Sequence, residues 1–238
     1  MPPLDERAGN ERDDEVSLIE HLIHDLKNPL GVVLGYAEAM VLADADEQPE
    51  LCARLAVNAR VMLEVLEEYS LLDAARQGCI TLEPTACDWP SLAGRVIKDS
   101  AASAAEREQQ ITCRATGPIV LRADSHRLQQ TLRLLVREAL RSAPRGACLQ
   151  LAAQPIEGAV ELVLEVPVAI VATAAGAAQA RQIFDRGRPA IELAERLIAL
   201  HGGSLAFADD AGRAIVRVRL PVVPAGRRSR SSAGRESE

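Results

Sequence analysis

Two neighbouring segments of this chain carry apolar residues in steps of four and three, strictly alternating in the first and similar in the second, which is the spacing of helices packed in a bundle. In the first segment these positions are Ile19, Ile23, Leu26, Leu30, Val33, Ala37 and Met40. In the second, between Glu50 and Gln77, they are Leu51, Leu55, Ala59, Met62, Leu66 and Tyr69. A polar turn from Asp44 to Pro49 separates the segments, and Gly78 follows the second as glycine commonly follows a helix end. The pattern predicts a helical hairpin.

A single hairpin has too few helices to bury two apolar faces. We therefore expect two copies to form a four-helix bundle in a homodimer. The alternative is that the hairpin docks on the rest of its own chain. On the predicted seam Ile23 and Leu26 face inward, so His24, Asp25 and Asn28 are expected to point outward.

Beyond Gly78 the chain is expected to alternate between strands and helices, which indicates an α/β sandwich with helices covering one face of a sheet. The two caps are Asp88 and Asp124, each before a helix. The predicted elements are a strand at 80–83, a helix from Asp88 to about Glu108, a strand pair near 111–115 and 119–122, a helix from Asp124 to about Ser142, a hairpin of 148–154 and 160–166, a helix at 189–201, and strands at 204–208 and 214–220. The predicted organisation is a disordered N-terminus over 1–15, the hairpin over 16–78, the second domain over 79–222 and a disordered tail over 223–238.

Composition excludes several classes of function. The formal charge of -7 and the scarcity of aromatic residues argue against nucleic-acid binding. The five cysteines are odd in number and far apart, so neither zinc nor a disulfide framework is indicated and a reducing cytoplasm is expected. The N-terminus lacks the pattern of a signal peptide, and the apolar stretch 159–180 is interrupted by Glu161, Glu165 and Pro167, so no membrane insertion is expected.

The chemistry is concentrated in the seven residues from His24 to Leu30. A neutral imidazole is a competent nucleophile near neutral pH, and the adjacent Asp25 can orient it and accept its proton. Asn28, one turn later, can hold a water molecule or a phosphoryl oxygen, and Lys27 can offset phosphoryl charge. Pro29 bends the helix beside the histidine. A docking surface for a partner's backbone is predicted at Pro29, Gly31, Val32 and Gly35.

The segment from His24 to Leu30 resembles the phosphoacceptor box of sensor histidine kinases, and 35–38 (Gly-Tyr-Ala-Glu) continues that pattern. Residues 134–144 resemble the asparagine-box helix of their ATP-binding domain, and 194–203 the helix and turn after its ATP lid. The resemblance covers roughly residues 16–222. It implies a bacterial cytoplasmic protein with a dimerisation and phosphotransfer hairpin, His24 as the phosphoacceptor, and an ATPase-like second domain.

The nucleotide-binding residues of that family are missing in three places. Glu138 stands where the family has a magnesium-binding asparagine, although a carboxylate can also bind Mg²⁺. The residues after Val166 are Pro167 to Ala172, without the adenine-binding Asp-x-Gly-x-Gly. Only Gly187 stands where a second glycine-rich segment would cradle phosphates. Arginines 181, 186 and 188 could contact phosphate or belong to a solvated loop, and we expect no tightly bound ATP.

Three functions are compatible with these residues. The leading one is a histidine phosphotransferase of a phosphorelay, similar to bacterial phosphotransferases with a degenerate kinase-like domain. His24 would carry phosphoryl groups between the aspartates of response-regulator receiver domains. One of these receiver domains could belong to a hybrid kinase. The receiver would supply Mg²⁺. The second is a divergent kinase that phosphorylates His24 from ATP. The third is a non-catalytic pseudokinase adaptor that binds a kinase or regulator.

Overall fold

The computed structural model describes residues 4–115, 119–167, 183–185, 187–210 and 212–221, with side chains described from Leu18 onward. Residues 168–172, where the adenine-binding motif was sought in the sequence, lie outside the described residues. So do Arg181, Arg186 and the tail 223–238. Within the part of the chain that the structure covers, no helix has the length and apolar character needed to cross a membrane.

The predicted helical hairpin is present. Helix α1 spans Leu4–Leu42 and helix α2 spans Gln48–Arg76, joined by a turn in which the Glu47 N–H donates to the Asp44 carbonyl at 3.0 Å. The backbone of α1 is helical from Leu4, whereas disorder was predicted over 1–15. That segment contains several Glu and Arg residues, which are good helix formers, so a helix anchored further along the chain extends into it.

The apolar seam of α1 is divided between two faces of the helix. Leu26, Val33 and Met40 are partly buried beneath α2. In the single chain Ile23 is 58% exposed and Leu30 is 51% exposed, so of the predicted inward pair Ile23 and Leu26 only Leu26 faces α2 within one hairpin. The reason is geometric, because the seven-residue steps from Leu26 stay under α2 while Ile23 and Leu30 lie about 40–60° further around the helix. An apolar stripe of α1 is therefore left uncovered by its own hairpin.

The remaining elements form the predicted α/β sandwich. Its helices are α3 (Trp89–Ala105), α4 (Ser125–Ser142) and α5 (Pro189–Leu200). Its strands are β1 (Thr85–Asp88), β2 (Gln110–Ala115), β3 (Val120–Ala123), β4 (Cys148–Ile156), β5 (Ala159–Pro167), β6 (Ser204–Asp210) and β7 (Arg213–Pro221). Among the described residues the main sheet has the order β2-β4-β5-β7-β6, and β1 pairs with β3.

One face of the main sheet is apolar and packs against the helices, which is why the strands alternate in burial. Leu151, Leu164 and Val218 from the sheet share a core with Trp89 and Leu135 from the helices. The opposite face carries ion pairs, including Arg219 Nε to Glu161 Oε1 at 2.9 Å. This two-sided pattern is what the alternating apolar residues predicted.

Both predicted helix caps are confirmed. The Ser91 N–H donates to the Asp88 carboxylate at 3.0 Å at the start of α3. The N–H groups of His126 and Arg127 donate to the Asp124 carboxylate at 3.1 and 3.0 Å at the start of α4. Burial raises the pKa of Asp124, but these backbone donors outweigh it and lower the pKa below its ordinary value.

Two strand predictions are wrong. The segment Ile80–Glu83 is not a strand, because the Glu83 N–H donates to the Asp124 carboxylate at 3.1 Å and Ile80 packs against an apolar cluster under α2. The segments predicted as a strand pair, β2 and β3, belong to different sheets. β2 runs parallel to β4, and β3 runs antiparallel to β1. β2 and β3 are neighbours in sequence, which suggested that they pair, but each pairs with a strand elsewhere in the chain.

The hairpin docks on the rest of its own chain, as the alternative interpretation proposed. Leu72 of α2 is fully buried against Leu134 of α4 and Leu197 of α5. Beside this apolar contact, Arg76 forms a bidentate ion pair with Glu192, with N–O distances of 2.9 and 2.6 Å. The contact covers one side of the hairpin and leaves the apolar stripe of α1 exposed, so a second contact along that stripe remains compatible with the docked domain.

Candidate phosphotransfer site

A cleft of about 610 Å³ lies between the hairpin and the second domain, and His24 is on its wall. Helices α1 and α2 form one side, and α4 with the start of α5 forms the other. The lining is Glu20, His21, His24, Asp25, Val61, Val65, Glu68, Tyr69, Arg137, Glu138, Arg141, Asp185, Arg188, Pro189 and Ala190. The structure therefore brings the neighbours His24 and Asp25 into one cleft with Glu138, which lies more than a hundred residues later in the sequence.

His24 is accessible and has a carboxylate beside it. Its side chain is 76% exposed, and Nδ1 lies 3.4 Å from Asp25 Oδ1. The other carboxylate oxygen, Asp25 Oδ2, accepts a hydrogen bond of 3.1 Å from the hydroxyl of Tyr69 on α2. A proton on Nδ1 directed at Asp25 places the imidazole lone pair on Nε2, which is then the nucleophilic nitrogen.

The other residues predicted on this face of α1 are largely open. Lys27 and Asn28 are exposed, and Pro29 is buried toward α2. A Cβ atom added at Gly31 or Gly35 would meet no heavy atom within 4 Å. Val32 is 43% exposed. Of the predicted docking residues, Gly31, Val32 and Gly35 are thus available on the helix surface, whereas Pro29 is buried and is not available to a partner.

Glu138 is buried and forms ion pairs with arginines. It is 5% exposed, and its Oε2 accepts hydrogen bonds from Arg141 at 2.8 Å and from Arg188 at 2.9 Å. Arg137 adds a contact of 4.0 Å. Burial raises the pKa of Glu138 and outweighs the lowering caused by Arg137 and Arg188. Arg188 is therefore paired with Glu138 through Nη1, and its side chain is 36% exposed.

A second ion pair joins α4 to the hairpin next to the His24 site. Arg137 binds Glu68 of α2 with both terminal nitrogens, and the Nη2–Oε2 distance is 2.7 Å. Glu68 precedes Tyr69, so this pair anchors the second domain one residue from the tyrosine that contacts Asp25. Burial and the charge of Asp25 raise the pKa of Tyr69, which keeps its hydroxyl protonated and able to donate.

The start of α5 offers few donors to a phosphate group. Pro189, its first residue, has no N–H. The N–H groups of Ile191 and Glu192 both donate to the Arg188 carbonyl at 3.0 Å. Helix N-termini bind anions through N–H groups that lack such partners. In the described part of the chain, no group of three or more His, Cys, Asp or Glu side chains is arranged to hold a metal ion.

No protein-family model matches this sequence, and no curated protein matches it. Solved structures are similar in fold. The Acinetobacter baumannii histidine kinase AdeS has a TM-score of 0.63 at 16% identity, covering 84% of this chain and 98% of that one. Full-length ShkA in complex with AMPPNP has a TM-score of 0.57 at 22% identity, covering 84% of this chain and 44% of that one.

Histidine kinase ThkA in complex with response regulator protein TrrA has a TM-score of 0.56 at 15% identity, covering 93% of this chain and 67% of that one. These likenesses define the class of fold. The chain has the architecture of a sensor histidine kinase core, which is a helical hairpin followed by an ATPase-like α/β domain. The fold implied by the resemblance of its motifs is thereby confirmed.

Sequence reasoning missed one member of the site. Tyr69 was assigned to the apolar seam of the second helix, and its ring is indeed buried, with 7% of the residue exposed. Its hydroxyl nevertheless reaches across to Asp25, 44 residues earlier in the chain. No spacing rule signals a contact between two helices of unknown register. Arg137 and Arg141 were noted only as parts of the asparagine-box resemblance. Glu68 carried no signal, and Glu138 was singled out as the replacement of an asparagine but not as a partner of Arg141 and Arg188.

Proposed function

We propose that this protein is a histidine phosphotransferase, in which His24 accepts a phosphoryl group from a receiver-domain aspartate and passes it to another receiver. The observation that carries the proposal is the contrast between His24 and Glu138. His24 is 76% exposed beside a helix surface that a partner can approach, whereas Glu138 is buried and paired with two arginines.

The transfer requires positioning more than catalysis by this chain. Nε2 of His24 attacks the phosphorus of the aspartyl phosphate, a P–N bond forms as the P–O bond breaks, and the electron pair leaves with the receiver's carboxylate. The imidazole gains positive charge, which Asp25 stabilises through the Nδ1 proton. Lys27 offsets the charge of the phosphoryl group. The Mg²⁺ in this reaction belongs to the receiver's acidic pocket.

The docking partner in this proposal is a receiver domain of a response regulator. Gly31, Val32 and Gly35 continue along α1 from His24 and present little side-chain bulk, so a partner helix can lie close to the α1 backbone. ThkA, which has the same fold, was solved with a response regulator bound. In the proposal, a receiver seated on this surface brings its aspartate to His24.

Several observations support the proposal that ATP is not held tightly. The position of the family's magnesium-binding asparagine is Glu138, whose oxygen is engaged by Arg141 and Arg188. Among the described residues at the beginning of α5, Pro189 has no N–H and the N–H groups of Ile191 and Glu192 are already bonded, so this helix start offers few donors to phosphate. These features support a proposal in which the phosphoryl group comes from a receiver and not from Mg-ATP.

A homodimer is part of the proposal. The stripe of α1 that contains Ile23, Leu30 and Leu34 is more than half exposed, although its residues are large and apolar. Leu63 of α2 is 59% exposed as well. Pairing two hairpins along these residues would bury them in a four-helix bundle and leave His24 outside it.

The divergent kinase remains a second candidate because of one observation. His24 and Glu138 line the same cleft, which is the arrangement that transfer from a nucleotide within this chain would require. The two candidates differ in the source of the phosphoryl group, so they are separated by labelling.

The test is to incubate the protein with labelled ATP alone and, separately, with a receiver phosphorylated by its own kinase and then freed of ATP. We expect label on His24 from the receiver and none from ATP. Calorimetry with Mg-ATP is expected to show no binding in the micromolar range. Label from ATP alone would contradict the proposal and support the kinase. Absence of label from both sources, across a panel of receivers, would favour the non-catalytic adaptor.

A further inference from the structure

Tyr69 is placed where it can control the geometry of the phosphoacceptor without touching it. Its hydroxyl donates to Asp25 Oδ2 at 3.1 Å, and the other oxygen of that carboxylate, Oδ1, lies 3.4 Å from His24 Nδ1. The carboxylate therefore bridges a buried phenol on α2 and an exposed imidazole on α1. Each of its oxygens has a separate partner.

We propose that Tyr69 is a positioning residue of the phosphoacceptor site, because its hydroxyl holds Asp25 in the rotamer that directs Oδ1 at His24. This inference rests on the proposed function of His24. Asp25 alone is 47% exposed at its side chain and has free rotation about its Cα–Cβ bond. Anchoring one oxygen to a buried group leaves the other pointing along one direction, toward Nδ1.

The anchor is rigid because the tyrosine is buried. Tyr69 is 7% exposed, and an aromatic side chain has only two rotatable torsions, so packing of the ring fixes its hydroxyl. A hydrogen bond from a neutral donor to a carboxylate is stronger when it is shielded from water. The bond crosses between α1 and α2, so the hairpin register sets the orientation of Asp25.

Charged groups around the bridge come from both sides of the cleft. Glu68 precedes Tyr69 on α2 and is neutralised by Arg137 of α4. Glu138, also on α4, interacts electrostatically with Asp25 across the cleft. Docking of the second domain thus surrounds the bridge with an ion pair and a buried carboxylate. Neither replaces the tyrosine hydroxyl, which is the donor that the structure assigns to Asp25 Oδ2.

The chain offers a matched control. Its sequence has two tyrosines, and Tyr36 lies further along α1, where its hydroxyl accepts a hydrogen bond of 3.1 Å from Arg54. Tyr36→Phe and Tyr69→Phe remove the same atom from the same residue type. Only Tyr69→Phe removes a partner of Asp25.

The first measurement is the tautomer of His24, read from the ¹⁵N chemical shifts of its labelled imidazole. We expect the Nδ1–H tautomer to predominate in the wild type and in Tyr36→Phe. In Tyr69→Phe we expect a shift toward the Nε2–H tautomer, because a mobile Asp25 no longer holds the proton at Nδ1. A folded Tyr69→Phe protein with the wild-type tautomer ratio would overturn the inference.

The second measurement is the rate of labelling of His24 by phosphoramidate, a small donor that needs neither receiver nor ATP. We expect Tyr69→Phe to lower the rate about tenfold, the factor for losing about 1.4 kcal/mol of a hydrogen bond to a charged group. In the background Asp25→Ala, Tyr69→Phe should have no further effect, because the tyrosine acts through Asp25. An equal loss in both backgrounds would show that Tyr69 acts by another route and would overturn the proposal.

These readouts separate the two proposals. A wild-type protein that accepts phosphoryl groups from phosphoramidate, with the expected dependence on Tyr69, but from no receiver, would refute the phosphorelay and leave the role of Tyr69 intact. Transfer from a receiver that is insensitive to Tyr69→Phe, with an unchanged tautomer, would do the reverse. If Tyr69→Phe unfolds, Asp25→Ala gives the tautomer test, since it removes both oxygens of the bridge, and an unchanged tautomer ratio in that variant would overturn the inference.

Discussion

The two walls of the central cleft differ in what covers their functional residues. On the hairpin side, His24 is 76% exposed, and Gly31 and Gly35 leave the surface beyond it open. On the side of the second domain, Glu138 is 5% exposed and held by Arg141 and Arg188. A macromolecular partner can reach the first wall, whereas the chain's own side chains fill the second. The difference teaches that one cleft can combine an exposed histidine on one wall with a buried, ion-paired carboxylate on the other.

The comparison depends first on His24 being the group that is modified. We expect His24→Ala to abolish labelling by a phosphorylated receiver, because the chain would lose the nucleophile itself. The fold should remain, since the side chain is mostly exposed. The measurement is acid-labile label retained on the protein after gel filtration.

The control for that experiment is His126→Ala, another exposed histidine, at the start of α4 and outside the cleft lining. Its labelling is expected to equal that of the wild type. Persistent label in His24→Ala, or loss of label in His126→Ala, would contradict the assignment of the phosphoacceptor.

The position of the second domain opposite His24 depends on the packing of Leu72 against that domain. This residue is fully buried between α2, α4 and α5, so Leu72→Ala leaves a cavity. We expect the free energy of unfolding in urea to fall by about 2–5 kcal/mol. The matched control is Leu42→Ala at the end of α1, where the leucine is 88% exposed and little change is expected. Equal effects of the two substitutions would show that the docked arrangement is not stable in solution.

Helix α1 has two exposed faces that can be tested separately. One carries His24, and the other is the apolar stripe that we propose is covered by a second copy of the chain. Leu34 is 59% exposed in a single chain, so Leu34→Asp should leave that chain folded and dissociate the dimer. Sedimentation would report the change in mass. Val57→Asp, at a residue that is 54% exposed but faces the second domain, should leave the dimer intact. A wild-type protein that sediments as a monomer would refute the dimer.

The smallest expected effect concerns two glutamates of the second domain, Glu138 and Glu192, whose pKa values shift in opposite directions. Burial opposes ionisation of Glu192, but its hydrogen bonds with Arg76 and Arg196 outweigh burial and lower the pKa below 4.5. Its contribution to stability is therefore present above pH 4.5 and is lost as the pH falls through the folded-state value. We expect Glu192→Gln to cost about 1 kcal/mol at neutral pH and nothing in strong acid.

Glu138 provides the contrast, because burial raises its pKa and the charged form is disfavoured in the folded state. Glu138→Gln resembles the protonated acid and is expected to cost less at neutral pH than Glu192→Gln. Urea unfolding of both variants across the acidic range would measure the difference. A larger cost for Glu138→Gln would mean that its pairs with Arg141 and Arg188 outweigh its burial.

Much of the fold followed from local patterns, and the failures have a common cause. The hairpin, both aspartate caps and the β4–β5 hairpin depend on residues close together in sequence, and they are confirmed. The strand predicted at Ile80–Glu83 failed because its backbone partner is the carboxylate of Asp124, far along the chain. The pairing of β2 with β3 failed because β2 lies parallel to β4 instead.

The sequence by itself determined the helical hairpin, the α/β class of the second domain and the surface that carries His24, Lys27 and Asn28, because helical periodicity and capping act over one or two turns. Only the tertiary structure decided that Tyr69 holds Asp25, that Arg188 reaches Glu138, and that Ile23 faces away from its own hairpin. These contacts depend on the register between helices and on chain segments that lie far apart, which no local pattern encodes. The proposal of His24 as the phosphoacceptor thus comes from seven residues, whereas the geometry around His24 is set by the whole fold.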